Sequence, residues 1–304
     1  MIKNILITGG SGLVGSRLTE LLLAQDYNVS HLSRSPENHK DSPVKTYQWD
    51  IEKQTIDDEA LKDVDCIVHL AGAGVADKRW TSSRKKLLLE SRTKSAQLLI
   101  NKLKEIDHKP KLFLSASAIG YYGARGDQWV DEESIPNSDF LAELCVEWEK
   151  ASKSVSELEI PFNIVRIGLV LSENGGALKE IAKSLDFGIA GYLGSGDQYM
   201  SWVHIDDLCG IFMHCIMGEV EQNEVYNGVA PTPEKNIDFT RILSKVVGKG
   251  ILLPVPSFVL KLMTGEMSEM LLTGQRVKSE KIEKAGYQFK FSDLKSALKD
   301  LYNK

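Results

Sequence analysis

The residues that could do chemistry begin at a glycine turn. "NILITGGSGLVGSRL" sets Gly9, Gly12 and Gly15 three apart, directly between an apolar strand and an amphipathic helix. Gly9 permits the tight turn, Gly12 lets a pyrophosphate approach the backbone, and Gly15 lets the helix pack against the strand. The helix N-terminus then offers free amides to phosphate. That chemistry is dinucleotide binding. A second selecting position falls about 20 residues later, where an acid would accept from a ribose 2′-hydroxyl and an arginine would meet a 2′-phosphate. "NVSHLSRSP" carries Ser33 and Arg34 and no acid, which points to NADP(H). A solvated loop arginine is the alternative.

Groups that could move a proton come later in the chain. Tyr121 and Tyr122, flanked by Gly120 and Gly123, follow the strand "KLFLSAS" at the edge where doubly wound sheets take ligands. One of them could be a phenolic acid, although paired tyrosines also wall pockets. Cys145 would need a cation such as Arg92 to lower its pKa, and is otherwise a small buried hydrophobe. Arg79 and Trp80 in "ADKRWT" could hold an anionic or planar substrate, or simply form a surface loop. His204, Asp206 and Asp207 in "HIDDL" read as a helix cap, and His69, inside an apolar strand, as a core residue. The four cysteines, Cys66, Cys145, Cys209 and Cys215, form no C-x-x-C pair, so neither a metal site nor a disulfide framework is expected.

These groups need a scaffold, and the pattern supplies one. Short apolar strands alternate with helical runs: "NILIT", "NVSHLS", "CIVHLAG", then a helix from about Thr81 to Glu105, then "KLFLSAS" and "FNIVRIG". Such alternation predicts a parallel sheet covered on both faces. Thr81 is the expected N-cap of the long helix, and Leu87, Leu88, Leu98, Leu99 and Leu103 its apolar stripe. Past residue 170 the pattern loosens into glycine turns, a helix near Asn236 to Val247, and an apolar, proline-broken stretch over 251–263 that is either lobe core or a contact surface. The expected fold is therefore α/β: a Rossmann-type doubly wound parallel sheet over 1–170, with a possible later strand returning to it, and a smaller C-terminal substrate lobe over 171–304. With 304 residues and 42% hydrophobic content the chain can bury one large core. A net charge of -5 with interspersed lysines argues against nucleic acid as a partner. The opening "MIKNILITGG" lacks a signal-peptide core, and no 18-residue apolar run occurs, so a cytoplasmic protein without a membrane partner is expected.

"TGGSGLVG", "VHLAGAG", "LSASAIGYYG", "RIGLVLS" and "SWVHIDDL", in this order, resemble the extended short-chain dehydrogenase/reductase superfamily, the NAD(P)-dependent epimerase/dehydratases. "GVADKRWT", "LESRT" and the tail "TGQRVKSEKIEKAGYQFKFSDLKSALKDL" look like an atypical branch labelled only epimerase family protein. The resemblance implies that Ser117 orients a substrate carbonyl. The superfamily's Tyr-x-x-x-Lys pair, however, falls on Leu141 and Cys145, and its helix asparagine on Arg92. The implied cofactor surface is Thr8, Gly9, Gly10, Ser11, Gly12, Leu13, Val14, Gly15, Ser33, Arg34, Asp50, Ala71, Gly72 and Arg92; Ser117, Tyr121, Tyr122 and Cys145 are the candidate catalytic groups. The expected function is an NADP(H)-dependent oxidoreductase or epimerase-like enzyme acting on a small carbonyl or hydroxyl substrate. A non-catalytic NADP(H) sensor is the alternative, and a nucleotide-sugar epimerase comes third. By superfamily analogy the chain could form a homodimer.

Overall fold

Alternate side chains of each central strand go to opposite faces of the sheet, and that alternation builds two cores. The computed structural model describes residues 2–36 and 44–302. On β1 (Asn4–Thr8), Ile5 and Ile7 pack against Leu18 and Leu22 of α1 (Leu13–Ala24), while Leu6 faces Leu98 and Leu99 of α2 (Ser82–Glu105). The remaining strands are β2 (Asn28–Ser33), β3 (Lys45–Asp50), β4 (Thr55–Ile56), β5 (Cys66–His69), β6 (Leu112–Ala118), β7 (Phe162–Ile167) and β8 (Glu224–Gly228). They lie in the order β8-β7-β6-β5-β1-β2-β3-β4. All neighbours pair in parallel except β3 with β4. Chain order reverses between β1 and β5, which is the switch point where such sheets bind ligands.

Two helices complete the layers around that point. α3 (Phe140–Lys153) packs beside α2, and α4 (Ile205–Met217) packs beside α1. Residues 205–228, which lie past residue 170, therefore belong to the sheet layers. Thr81 caps α2 by accepting from the Arg84 amide at 3.2 Å, and Leu88, Leu98, Leu99 and Leu103 are buried. Leu87 is not part of the stripe: it is 46% exposed, because its position turns it toward solvent. β3, "KTYQWD", was not expected as a strand.

The lobe has its own core of Leu171, Leu178, Trp202, Phe239, Leu243 and Leu298. It contains a two-stranded parallel sheet, Ile189–Leu193 with Ile251–Val255, and helices Asn236–Val247 and Leu294–Tyr302. In the 251–263 stretch Ile251, Leu253, Phe258, Leu262 and Met263 are exposed, whereas Leu260 is buried. The lobe is fastened to the sheet end by Arg79, whose Nε and Nη2 donate to the carbonyls of Met263 and Leu262 at 2.7 Å each, and by a Lys85–Glu266 ion pair. Among the described residues no helix is long and apolar enough to cross a membrane.

Candidate active site

The glycine turn is shaped by contacts no other residue would allow. Gly9 has φ 71°, and its carbonyl accepts from the Gly12 amide at 3.0 Å. A Cβ on Gly15 would lie 2.3 Å from the Gly9 oxygen, so α1 touches the turn backbone. Gly12 caps α1 without a side-chain bond, and the helix ladder begins with the Ser16 amide donating to the Gly12 carbonyl at 2.9 Å. The amides of Leu13, Val14 and Gly15 thus precede the ladder. A Cβ on Gly12 would meet only the Gly9 oxygen, at 3.2 Å, which leaves this face of the turn open beside exposed Ser11. The residues fit a dinucleotide pyrophosphate. Gly10 packs flat on the His31 ring, where a Cβ would come within 2.5 Å.

Other members of the expected cofactor surface divide into two kinds. At the end of β2 Arg34 is exposed and makes no hydrogen bond or ion pair among the described residues. Ser33 Oγ accepts from the Ser35 amide at 3.1 Å. Asp50, at the end of β3, accepts from the Lys53 and Glu52 amides at 3.0 Å each, and the Lys53 amide above all holds its carboxyl below the ordinary range. Thr8 turns its side chain inward. It is buried, with Oγ1 accepting from the Leu70 and Ala71 amides at 3.2 and 3.1 Å and meeting His69 Nδ1 at 2.8 Å, so it ties β1 to the exit of β5. Gly72 lies against the Arg92 guanidinium, whose carbon a Cβ would approach to 3.0 Å.

The catalytic candidates are placed differently from expectation. Ser117, Arg166 and Asn227 are register partners on β6, β7 and β8, so their side chains emerge on one face. Ser117 is 1% exposed, and its hydroxyl donates to Glu149 Oε1 at 2.8 Å. Glu149 is gripped from the other side by Arg166, with Nε to Oε1 at 2.7 Å and Nη2 to Oε2 at 3.0 Å. Arg166 Nη1 donates to the Tyr122 hydroxyl at 3.0 Å, which in turn donates to Asn227 Oδ1 at 2.7 Å. The Asn227 backbone N–H donates to Glu132 Oε1 at 2.8 Å. Ser117 and Tyr122 are therefore members of a buried network, which Lys153 Nζ joins from outside at 3.6 Å from Glu149 Oε2, and neither side chain is exposed. Burial pushes the Tyr122 phenol well above its ordinary range.

Cys145 is not an activated thiol. Its thiol is buried and pushed up to about 12, by burial first and by Glu149 next, and the nearby Arg92 does not offset them. A thiol in that state is neutral at any working pH. Leu141 and Cys145 close over Gly120, whose Cβ position lies 3.3 Å from Leu141 Cβ and 3.7 Å from the Cys145 sulfur. Leu141 joins Trp80, Leu144, Met267 and Met270 in the cluster that seats the lobe. A tyrosine hydroxyl there would enter an apolar contact. Of the four candidates only Tyr121 remains half-exposed: its ring lies over the Arg166 guanidinium at 3.5 Å, and its hydroxyl makes no hydrogen bond among the described residues.

Glu149, Arg166 and Asn227 were missed from the sequence. Two signals pointed to them: Arg166 is a charge inside the apolar run "FNIVRIG", and Glu149 stands on the same helix face as Leu141 and Cys145, at steps of four. Arg79 spends its guanidinium on the C-terminal carbonyls of the helix Ser257–Thr264, and the buried Trp80 indole donates to the Val75 carbonyl at 3.0 Å. His69 is a core residue, pushed down to about 4 by burial. The cap of α4 is His204, whose Nδ1 accepts from the Asp206 amide at 3.1 Å. Asp206 accepts from Arg17 Nε of α1 at 2.7 Å. Asp207, buried, gathers a distant segment: it accepts from the Lys290 and Phe291 amides at 2.8 and 2.9 Å and from the Tyr287 hydroxyl at 3.0 Å.

Residues 5–227 match the profile of the NAD dependent epimerase/dehydratase family, and residues 255–301 match a domain of unknown function. An epimerase family protein of Staphylococcus saprophyticus is 35% identical over 302 residues, 99% of each chain. One from Staphylococcus aureus is 34% identical over 306 residues, 100% of each. Among solved structures, human epimerase family protein SDR39U1 with NADPH superposes with a TM-score of 0.89 at 31% identity, covering 99% of each chain. UDP-glucuronic acid 4-epimerase from Bacillus cereus, in complex with UDP-glucuronic acid and NAD, superposes with a TM-score of 0.80 at 20% identity over 99% of this chain and 98% of that one, a likeness of fold alone.

Proposed function

The chain belongs to the NAD-dependent epimerase/dehydratase family, and from that premise we propose that it binds NADP(H) and uses it in an oxidoreductase or epimerase-type reaction on a small carbonyl or hydroxyl compound. Arg34 carries the reading: an exposed guanidinium with no partner among the described residues, at the end of β2, where a fold of this kind meets the adenosine ribose. The human relative solved with NADPH supports the same choice. Bound nicotinamide would give or take a hydride. The chain's own part is to hold the pyrophosphate at the first-turn amides of α1, to pair the 2′-phosphate with Arg34, and to supply a proton.

That proton comes from Tyr121 in this reading, since the other candidates are buried and bonded or carry no usable proton. A second reading, a protein that binds NADP(H) without turning it over, is favoured by one observation: the Ser117 hydroxyl is committed to Glu149 inside the core. The test is NADPH consumption against a panel of aldehydes, ketones and enones by the unmodified protein and by Tyr121→Phe. Loss of a general acid removes ~10²–10⁴ of rate, and that drop in kcat, with NADPH affinity kept, is the expected result. Full activity in Tyr121→Phe would assign the proton elsewhere, and tight NADPH binding without turnover of any compound would support the second reading.

A further inference from the structure

Two arginines are buried behind the cofactor edge, and only one is neutralised. Arg166, 2% exposed, shares both carboxylate oxygens of Glu149. Arg92, 7% exposed, has no carboxylate within ion-pair distance among the described residues. Its Nη1 donates to the Leu88 carbonyl at 2.9 Å and its Nη2 to the Ala73 carbonyl at 3.1 Å, while its buried Nε finds no acceptor. The guanidinium lies over the Trp148 ring at 4.9 Å. Its titratable neighbours are the neutral Cys145 thiol, another cation, Arg84, and the His69 imidazole, which burial and Arg92 keep neutral. Carbonyl dipoles and an aromatic face soften a positive charge but do not cancel it.

Where that charge stands follows from the strand order. The glycine turn after β1 takes the pyrophosphate and β2, with Arg34, takes the adenosine half. The nicotinamide half must then lie across the switch point, over β5 and β6. Arg92 is at that end, pressed against Gly72 just beyond β5 and beside Cys145 on α3. The superfamily lysine position thus holds no charge, and a cation from α2 stands next to it. Oxidised nicotinamide carries a positive charge on its ring; reduced nicotinamide carries none.

We propose that Arg92 makes this site select the reduced dinucleotide, so that the chain binds NADPH more tightly than NADP⁺. The inference rests on the cofactor reading above and adds a redox preference to it. A fixed positive charge raises the free energy of the oxidised ring and leaves the neutral one nearly unaffected. At an effective dielectric of about 20, two like charges repel enough to favour NADPH by about tenfold or more at any separation up to about 12 Å. By linkage, the bound couple would have a reduction potential about 30 mV more positive for each factor of ten.

The test is binding of NADPH and of NADP⁺, measured by calorimetry on the full chain and on Arg92→Gln and Arg92→Lys. The expected result is a wild-type ratio of about tenfold or more in favour of NADPH, kept by Arg92→Lys and reduced severalfold toward parity in Arg92→Gln. A purely structural role would weaken both forms alike. Should Arg92→Gln fail to fold, the wild-type ratio still decides, measured at low and at about 0.5 M salt: a ratio set by a buried charge persists, because buried pairs are screened little. Parity of the two forms in the unmodified protein overturns the inference, as does an unchanged ratio in folded Arg92→Gln. Binding of neither form would instead remove the cofactor reading on which it stands.

Discussion

At the β1–β2 end of the sheet the chain keeps its backbone open. Gly12 has space on its ligand face, the first amides of α1 precede the helix ladder, and Arg34 reaches out with no partner among the described residues. At the β6–β8 end the opposite holds: Ser117, Glu149, Arg166, Tyr122 and Asn227 satisfy one another in the core, and Leu141 is packed under the lobe. Polar groups in one region stay unpaired among the described residues, and polar groups in the other pair with each other. The two ends are therefore separable in this architecture. Ser117, Leu141 and Cys145, on which the superfamily's catalytic positions fall, are taken up in packing and buried bonds, while Gly12 and Arg34 are not.

Substitutions at the two ends should accordingly have opposite signatures. The largest effect is expected from Gly12→Val. A branched side chain would stand where a pyrophosphate must approach, so calorimetry should show NADPH binding abolished; the melting temperature should change little, because the Cβ meets only one oxygen at 3.2 Å. Glu149→Gln should do the reverse. It leaves the Arg166 guanidinium buried without a counter-charge, which typically costs about 3–5 kcal/mol, and a denaturant titration should register that loss while NADPH affinity stays within a few-fold. If Glu149→Gln instead abolished binding and kept stability, the two ends would not be separable as described.

Arg34→Ala is the finer probe of the open end. A charge-assisted contact is worth roughly 1.5–3 kcal/mol, so NADPH should weaken by about ten- to a hundredfold and NADH hardly at all. Equal weakening of both would make Arg34 a general electrostatic contributor. The smallest effect concerns His69, which lies between the two ends, bonded to Thr8 and Ser95. Its folded pKa of about 4 is below the ordinary 6.5, so between these values the unfolded chain takes up a proton that the folded chain refuses. Stability should fall as pH drops from about 6.5 toward 4, and the slope over that window should flatten in His69→Gln.

Much of the open end was legible in the sequence because its signal is local. Gly9, Gly12, Gly15 and Arg34 lie within one βαβ unit, and each glycine answers to a steric need that spacing alone reveals. The closed end is assembled by register. Ser117 meets Glu149 from 32 positions away, and Tyr122 meets Asn227 from 105. No short motif announces such partners, and a serine matched to a catalytic position reads the same whether it faces a cleft or a carboxylate. β3 escaped notice because "KTYQWD" sits near the edge of the sheet, where only Trp49 is buried and the apolar alternation is weak. Leu87 was misplaced by one step around α2, since leucines at three consecutive positions cannot all face the core.

Asp207 also ties the sheet layers to the end of the chain in time as well as in space. Its carboxylate sits in the first turn of α4, inside the sheet layers, and its partners lie 80 to 84 residues downstream. While the ribosome is still adding those residues, every strand of the large sheet has already been made, β8 included, yet this acid has nothing to accept from. Final closure of the sheet layers therefore waits for the last stretch of chain, and a polypeptide ending before Tyr287 would leave this carboxylate without these partners and uncover the face of α4 that they cover.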